Sequence, residues 1–301
     1  MELSDKKFAV LIDADNISHR KIKDILDEIA NYGTPTIKRI YGDFTDPKFA
    51  AWKSVLLENS ITPIQQYAYT TGKNATDSAL IIDAMDILHK ESVNGFCIVS
   101  SDSDYTRLAS RIRESGREVL GFGEKKTPKP FIKSCDKFIY VEILGQPAPA
   151  PAPVSAPAQT AAAVPAAKAA TPKKTAKKHQ GRNAPETDMP EAAPAEPAAA
   201  EKKVAPAPDT AQPQPIIRPI DDDFKTLLAN TIEDAADDSG WAFLGIVGGG
   251  LPKKMPDFDP RNYGYKKLSL LVKSLSKIVE IEERPSENKE LKLVYVRNRI
   301  R

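Results

Sequence analysis

The stretch FCIVSSDSDYTRLA, residues 96–109, sets four apolar residues that read as a buried strand (Phe96, Cys97, Ile98 and Val99) directly against Ser100, Ser101, Asp102, Ser103 and Asp104. A helical pattern resumes at Leu108. Like charges and hydroxyls placed where a hydrophobic strand ends need a physical reason. Working outward, the same alternation recurs along the first half of the chain. FAVLID (8–13) is a short apolar run, and a helix with Ile22, Ile25, Leu26 and Ile29 at helical spacing follows it and stops at Gly33. TIKRIYGD, TPIQQYAY, EVLGFG and KFIYVEIL read as further strands. PKFAAWKSVLLENS, ATDSALIIDAMDILHK, YTRLASRIRESG and the short TPKPFIKSC read as helices. Strands and helices alternating through short connections predict a mainly parallel sheet covered on both faces, an α/β fold.

Composition bounds the rest. The chain has 301 residues, more than one core usually serves, so two domains are expected. Lys and Arg number 43 against 41 for Asp and Glu, a formal charge of +2, so any basic surface is local. Cys97 and Cys135 have no metal-ligand spacing and read as buried thiols of a reducing compartment. The amino-terminal residues show no signal-peptide pattern, and no apolar run approaches the roughly 18 residues of a membrane span. A cytoplasmic protein without membrane contact is the expectation.

Residues 146–215 are rich in Ala and Pro and nearly devoid of aromatic or branched apolar side chains. Such a segment buries too little surface to offset its ordering entropy, so a disordered linker is expected between a domain at 1–145 and one at 216–301. The second domain opens with a helix carrying Phe224, Leu227, Leu228 and Ile232. Next come a loop containing GGGLPKKMPDFDPRNYG, a helix with Leu268, Leu271, Val272 and Leu275 on one face, and two alternating strands. Helices followed by a hairpin fit a small winged-helix domain.

In a parallel α/β sheet ligands bind outside the carboxyl ends of the strands. Asp13 ends the first strand, with Asp15 and Asn16 just beyond, and Asp102 and Asp104 end the strand at 96–99. A third contributor follows Gly72, where Thr76 is positioned to cap a helix and Asp77 falls in its first turn. At about 100° per residue, Leu80, Ile81, Ala84 and Leu88 lie within roughly 60° of Asp77, so Asp77 faces the sheet. Carboxylates sharing a partly desolvated site repel one another, and a divalent cation answers that repulsion. Hard oxygen ligands favour Mg²⁺ or Mn²⁺. Such an ion can polarise a phosphodiester and activate the attacking water. Asp15, Asp43, Asp83 and Asp86 read as solvated or capping residues, with Asp15 and Asp43 next in line for a role.

LIDADN, the KNATD segment with its helix, YGDF, and IVSSDSDYTRLASRIRESGREVLGFG together resemble the NYN domain, the LabA-like branch of PIN-fold nucleases. The resemblance implies a three-layer α/β/α, Rossmann-like fold and a metal-dependent ribonuclease. It makes Asp13, Asp77, Asp102 and Asp104 metal ligands and catalytic groups, with Asn16 holding Asp13 or a substrate phosphate. Ser101 stands where that family commonly has Gly, a departure expected to narrow the approach of substrate. GWAFLGIVGGGLPKKMPDFDPRNYGYKKLSLLVKSL resembles the LOTUS, or OST-HTH, domain, a winged-helix module associated with RNA.

RNA, taken as single-stranded, is the expected partner, and phosphate neutralisation calls for cations near the acids. Lys73, Lys125, Lys126 and Lys129 lie in loops or at a helix start on the expected side of the sheet. In the second domain Lys253, Lys254, Arg261, Lys266 and Lys267 form a basic run, with Tyr263 and Tyr265 offered for base stacking. A protein partner or a second copy through the winged-helix domain is also open. Two rival readings stand beside the ribonuclease. One is an idle RNA-binding or protein-interaction adaptor. The other is a haloacid-dehalogenase-like phosphatase with Asp13 as nucleophile, although Ile17 occupies the place where that family carries Thr.

Overall fold

The structure is a computed structural model and describes residues 6–67, 75–145, 217–285 and 292–299. The expected linker at 146–215 lies outside the described residues. In chain order the first module contains β1 (Lys7–Asp13), α1 (Ile22–Ile29), β2 (Thr34–Gly42), α2 (Trp52–Asn59), β3 (Thr62–Gln65), α3 (Ala75–Lys90) and β4 (Gly95–Val99). It continues with α4 (Thr106–Glu114), β5 (Glu118–Gly123), α5 (Lys129–Ser134) and β6 (Lys137–Tyr140). The six strands form one sheet in the order β3-β2-β1-β4-β5-β6, every neighbouring pair parallel. Strand order reverses between β1 and β4, and there two successive crossovers leave in opposite directions and open a crevice.

The central strands explain themselves. β4 is buried along its whole length and β1 from Phe8 onward, so both read as unbroken apolar runs rather than alternating ones. Val10 and Ile12 pack with Ile22, Ile25, Trp52 and Leu56 from α1 and α2 on one face. Ala9 and Leu11 pack with Leu80, Ala84, Leu108 and Phe131 from α3, α4 and α5 on the other. The result is the expected three-layer α/β/α arrangement. Cys97 and Cys135 are free and buried, and burial pushes the Cys135 thiol up to about 12. Among the described residues no helix is long and apolar enough to cross a membrane.

Two strand readings were too long. The run expected from Lys137 to Leu144 is a strand only to Tyr140 and then a 3₁₀ turn at Val141–Ile143. The run expected over 62–69 pairs with β2 through Gln65 among the described residues, and its last two residues lie outside them.

The second module holds α6 (Asp222–Asp234), β7 (Ala242–Phe243), α7 (Leu244–Lys254), α8 (Leu268–Ser274), β8 (Val279–Pro285) and β9 (Lys292–Asn298). Its antiparallel sheet runs β7-β9-β8, the arrangement of a small winged-helix fold. The expected loop through GGGLPKK is instead the body of α7, with Pro252 inside its last turn. Tertiary packing overrides propensity here. Val247 and Leu251 are fully buried, and a Cβ on Gly250 would stand 3.1 Å from Thr231 Cγ2, so the missing side chain lets α7 approach α6 closely.

Both modules belong to one compact unit. Phe138 N on edge strand β6 donates to Pro256 O at 2.8 Å. Arg261 reaches both carboxylate oxygens of Glu28 on α1, at 3.0 and 2.9 Å, while also pairing with Asp259 at 2.7 Å. Tyr140 OH donates to Asp257 at 2.9 Å, and Arg218 meets both of them at 2.8 Å. The edge of the sheet is thus covered by matched charges.

Candidate metal centre

The site is built where β1 and β4 end, beside the crevice of the strand-order reversal. Asp13, the last residue of β1, has no exposed surface and is held on all sides. Its Oδ2 accepts from Asn16 Nδ2 at 2.7 Å and Ser100 Oγ at 2.9 Å, while Oδ1 accepts from Asp15 N at 3.0 Å, and the Tyr105 hydroxyl oxygen lies 3.4 Å from Oδ2. Burial raises its pKa, and these hydrogen bonds work against that rise by favouring the anion.

Around it stand the other carboxylates. Asp77, in the first turn of α3, lies half-buried and faces the sheet as its helical phase required. Tyr105 OH donates to Asp77 Oδ1 at 2.6 Å, and the same buried phenol lies between Asp77 and Asp13. Burial, above all, pushes the Tyr105 phenol far up, which keeps it a donor. Asp102 caps the 3₁₀ turn Ser103–Tyr105 through Asp104 N at 2.9 Å. One oxygen each from Asp77, Asp102 and Asp104 lies within 4.8 Å of the others. Burial first, then the charges of Asp102, Asp104 and Asp15, raises the pKa of Asp77. Three carboxylates at that separation form a hard donor set suited to Mg²⁺ or Mn²⁺, which bind few carboxylates and retain waters.

Several expectations change. Asp13 does not join the oxygen cluster: three protein donors, Asp15 N, Asn16 Nδ2 and Ser100 Oγ, take its carboxylate oxygens. The same burial leaves it poorly placed as the exposed nucleophile a phosphatase would need. Asn16 holds Asp13. α3 begins at Ala75, so Thr76 lies inside the helix, and its hydroxyl donates to Asp15 at 3.5 Å. Ser101 is buried and accepts from Glu124 N at 2.8 Å, so it ties the β4 end to the β5 end instead of narrowing the approach. Beside it, a Cβ on Gly123 would meet Ser100 O at 2.6 Å, which leaves room only for glycine. Asp83 pairs with Arg39 and Tyr41, and Asp86 with Lys90, away from the site.

Ser100, Tyr105 and Lys48 are the residues sequence reasoning missed. Ser100 was visible as a hydroxyl at the strand end. Tyr105 read as the start of a helix, and Lys48, 2.9 Å from Asp15, carried no signal.

The expected RNA contacts divide. Lys125, Lys126 and Lys129 are exposed near the carboxyl end of β5, with Lys126 on Glu124 at 2.9 Å. Lys253, Lys266 and Lys267 are exposed, and Lys254 pairs with Asp234. Lys73 lies outside the described residues. Two others are corrected. Tyr263 is buried with its ring against Phe224 at 4.6 Å, so core packing replaces base stacking. Arg261 is consumed by Glu28 and Asp259. Tyr265 is half-buried against the same core.

A family model for the NYN domain matches residues 7–143, and one for the OST-HTH/LOTUS domain matches residues 215–291. The chain is thus similar to an NYN domain in its amino-terminal part and to an OST-HTH/LOTUS domain in its carboxyl-terminal part, the expected order. Among solved structures, a protein of unknown function from Vibrio parahaemolyticus is 20% identical, with a TM-score of 0.39, over 46% of this chain and 96% of that one. An uncharacterized protein from Nitrosomonas europaea is 35% identical, with a TM-score of 0.26, over 34% of this chain and 94% of that one. Comparison with curated proteins finds no match.

Proposed function

We propose that the chain is a divalent-metal-dependent endoribonuclease, carrying its own RNA-binding module and acting on single-stranded RNA in the cytoplasm. The observation that carries this reading is the meeting of Asp77, Asp102 and Asp104 oxygens within 4.8 Å at the crevice of the strand-order reversal. Asp77, Asp102 and Asp104 would hold Mg²⁺ or Mn²⁺, which would supply Lewis acidity to a phosphodiester and lower the pKa of a bound water.

The chain's own residues do the positioning. Asp13 fixes Ser100, Tyr105 orients Asp77, and Ser100 Oγ accepts from Asp102 N at 3.1 Å. One buried anion thus backs the site, holding Ser100 under the Asp102 backbone and lying beside the phenol that orients Asp77. The OST-HTH/LOTUS module raises the local concentration of RNA near the acids. Free buried thiols accord with a reducing compartment.

The test is cleavage of an unstructured RNA with Mn²⁺ or Mg²⁺, compared with Asp102→Asn and Asp13→Asn. Loss of cleavage with RNA binding kept supports the nuclease. RNA binding without cleavage by the parent chain would make it an adaptor, and turnover of a phosphomonoester alone would make it a phosphatase.

A further inference from the structure

A crossover helix between parallel strands must run back from their carboxyl ends to their amino ends. α5 therefore leads away from the acidic end of the sheet. Lys129 and Lys133 lie four residues apart on it, which puts their stems on one face about one turn, roughly 5.4 Å, apart. Lys125 precedes them by the same interval, in the loop joined to the acidic end through Glu124 N and Ser101 Oγ. None of these three lysines has an ion-pair partner among the described residues.

Lys133 also lines two cavities, one toward each end of the helix. The cavity at the amino end of α5, on the acidic side of the sheet and about 670 Å³ in volume, includes Lys125 and Lys129. Arg218 and Lys254 on its far wall are taken by Asp257 and Asp234. Its acids Asp221 and Asp223 sit at the amino end of α6, where the helix dipole favours them.

The cavity at the carboxyl end of α5, about 690 Å³, is bounded by the starts of β5 and β6 and by α7 of the second module. Five of its lining residues are cationic against two acids. Those acids are already matched, Glu118 by Lys6 at 2.7 Å and Asp136 by Arg113 at 2.9 Å. Arg117, Lys133 and Lys253 have no ion-pair partner among the described residues. Gly249 on α7 faces this cavity with nothing within 4 Å of the position a Cβ would take, so the wall stays open.

A line of cations that starts beside the carboxylates and ends in a basic cleft between two modules matches a chain of phosphates rather than a single anion. We infer that single-stranded RNA lies along α5, its backbone held by Lys125, Lys129 and Lys133 and received by the cleft of Arg117 and Lys253, so that both modules build one track into the acidic site. This track extends the ribonuclease reading, because it takes RNA as the ligand.

The full chain carrying Asp77→Asn, without divalent ions, is titrated against a fluorescent unstructured oligoribonucleotide between about 50 and 200 mM salt. Adding Lys129→Glu and Lys133→Glu is expected to weaken binding about tenfold or more and to flatten the log–log salt slope by about 1.4, two single-strand phosphates. Gly249→Glu places a carboxylate in the cleft and improves helix propensity, so it should weaken binding several-fold with the melting temperature kept or raised. Unchanged affinity and slope in both variants would overturn the track. Displacement of the RNA by poly-glutamate at equal charge concentration would overturn RNA as its occupant. If the parent chain binds through these residues yet never cleaves, the track stands and the nuclease reading alone fails.

Discussion

Two acidic neighbourhoods of the molecule are solved in opposite ways. At the module junction Glu28 and Asp259 are answered by Arg261, and Asp257 by Arg218. At the end of β1 and β4, Asp77 is surrounded by Asp102, Asp104 and Asp15, whose charges add to burial in raising its pKa. The first pattern joins surfaces, and breaking it strands a charge. The second opposes its own ionisation and becomes favourable when a cation arrives from outside. The junction reads as structural by its charge matching, and the proposed site by the like charges that raise the pKa of Asp77.

The sharpest way to break the comparison is to neutralise one acid in each region. Asp77→Asn is expected to reduce ribonuclease turnover about 10³-fold, the scale of removing one charge-stabilising group from an active site. RNA affinity measured without divalent ions should stay within about twofold. At the junction, Arg261→Ala leaves Glu28 and Asp259 without their shared partner. Urea unfolding should show a loss of about 2–3 kcal/mol, below the range for fully buried pairs because the guanidinium is 33% exposed. The double variant Glu28→Gln with Arg261→Met should recover much of that loss, and no recovery would mean the pair carries no specific coupling.

A smaller effect tests the sign of the electrostatics. The folded pKa of Asp77 is raised, so the folded protein loses stability as pH rises from the unfolded value of about 3.9 through the folded value. Metal-free Asp77→Asn should therefore melt about 1–2 °C above the parent at neutral pH. That advantage should vanish below the unfolded pKa, and added Mn²⁺ should reverse the order by stabilising only the parent. The smallest contrast lies within α7. Gly249→Ala adds helix propensity in open space and should stabilise by up to about 0.8 kcal/mol. Gly250→Ala meets Thr231 Cγ2 at 3.1 Å, so its gain should be smaller or negative.

How much was legible in the sequence follows from the range of the forces involved. The central strands were readable because burial on both faces leaves unbroken apolar runs, and α3 could be phased well enough to turn Asp77 toward the sheet. That Asp77, Asp102 and Asp104 gather at one edge was expected from parallel strands ending on one side and from the phase of α3, with Asp13 expected among them. The division of labour among the acids did not. Whether Asp13 is a ligand or an anchor depends on Ser100 taking one of its oxygens, a three-dimensional accident of contact that spacing does not encode. α7 was hidden for a related reason, because its glycines and Pro252 argue for a loop until α6 is seen packing against it. Arg261 and Tyr263 looked like a nucleic-acid surface because exposure was assumed. One is spent on Glu28 and the other on Phe224.

The central claim is that the carboxylates at the strand-order reversal hold a divalent cation. Anomalous scattering from a crystal of the chain soaked in Mn²⁺ addresses it directly. The expected result is a peak bounded by Asp77, Asp102 and Asp104, absent from Asp77→Asn crystals. A parent chain that cleaves RNA with Mn²⁺ while its crystals show no peak there, or show one elsewhere, would contradict it.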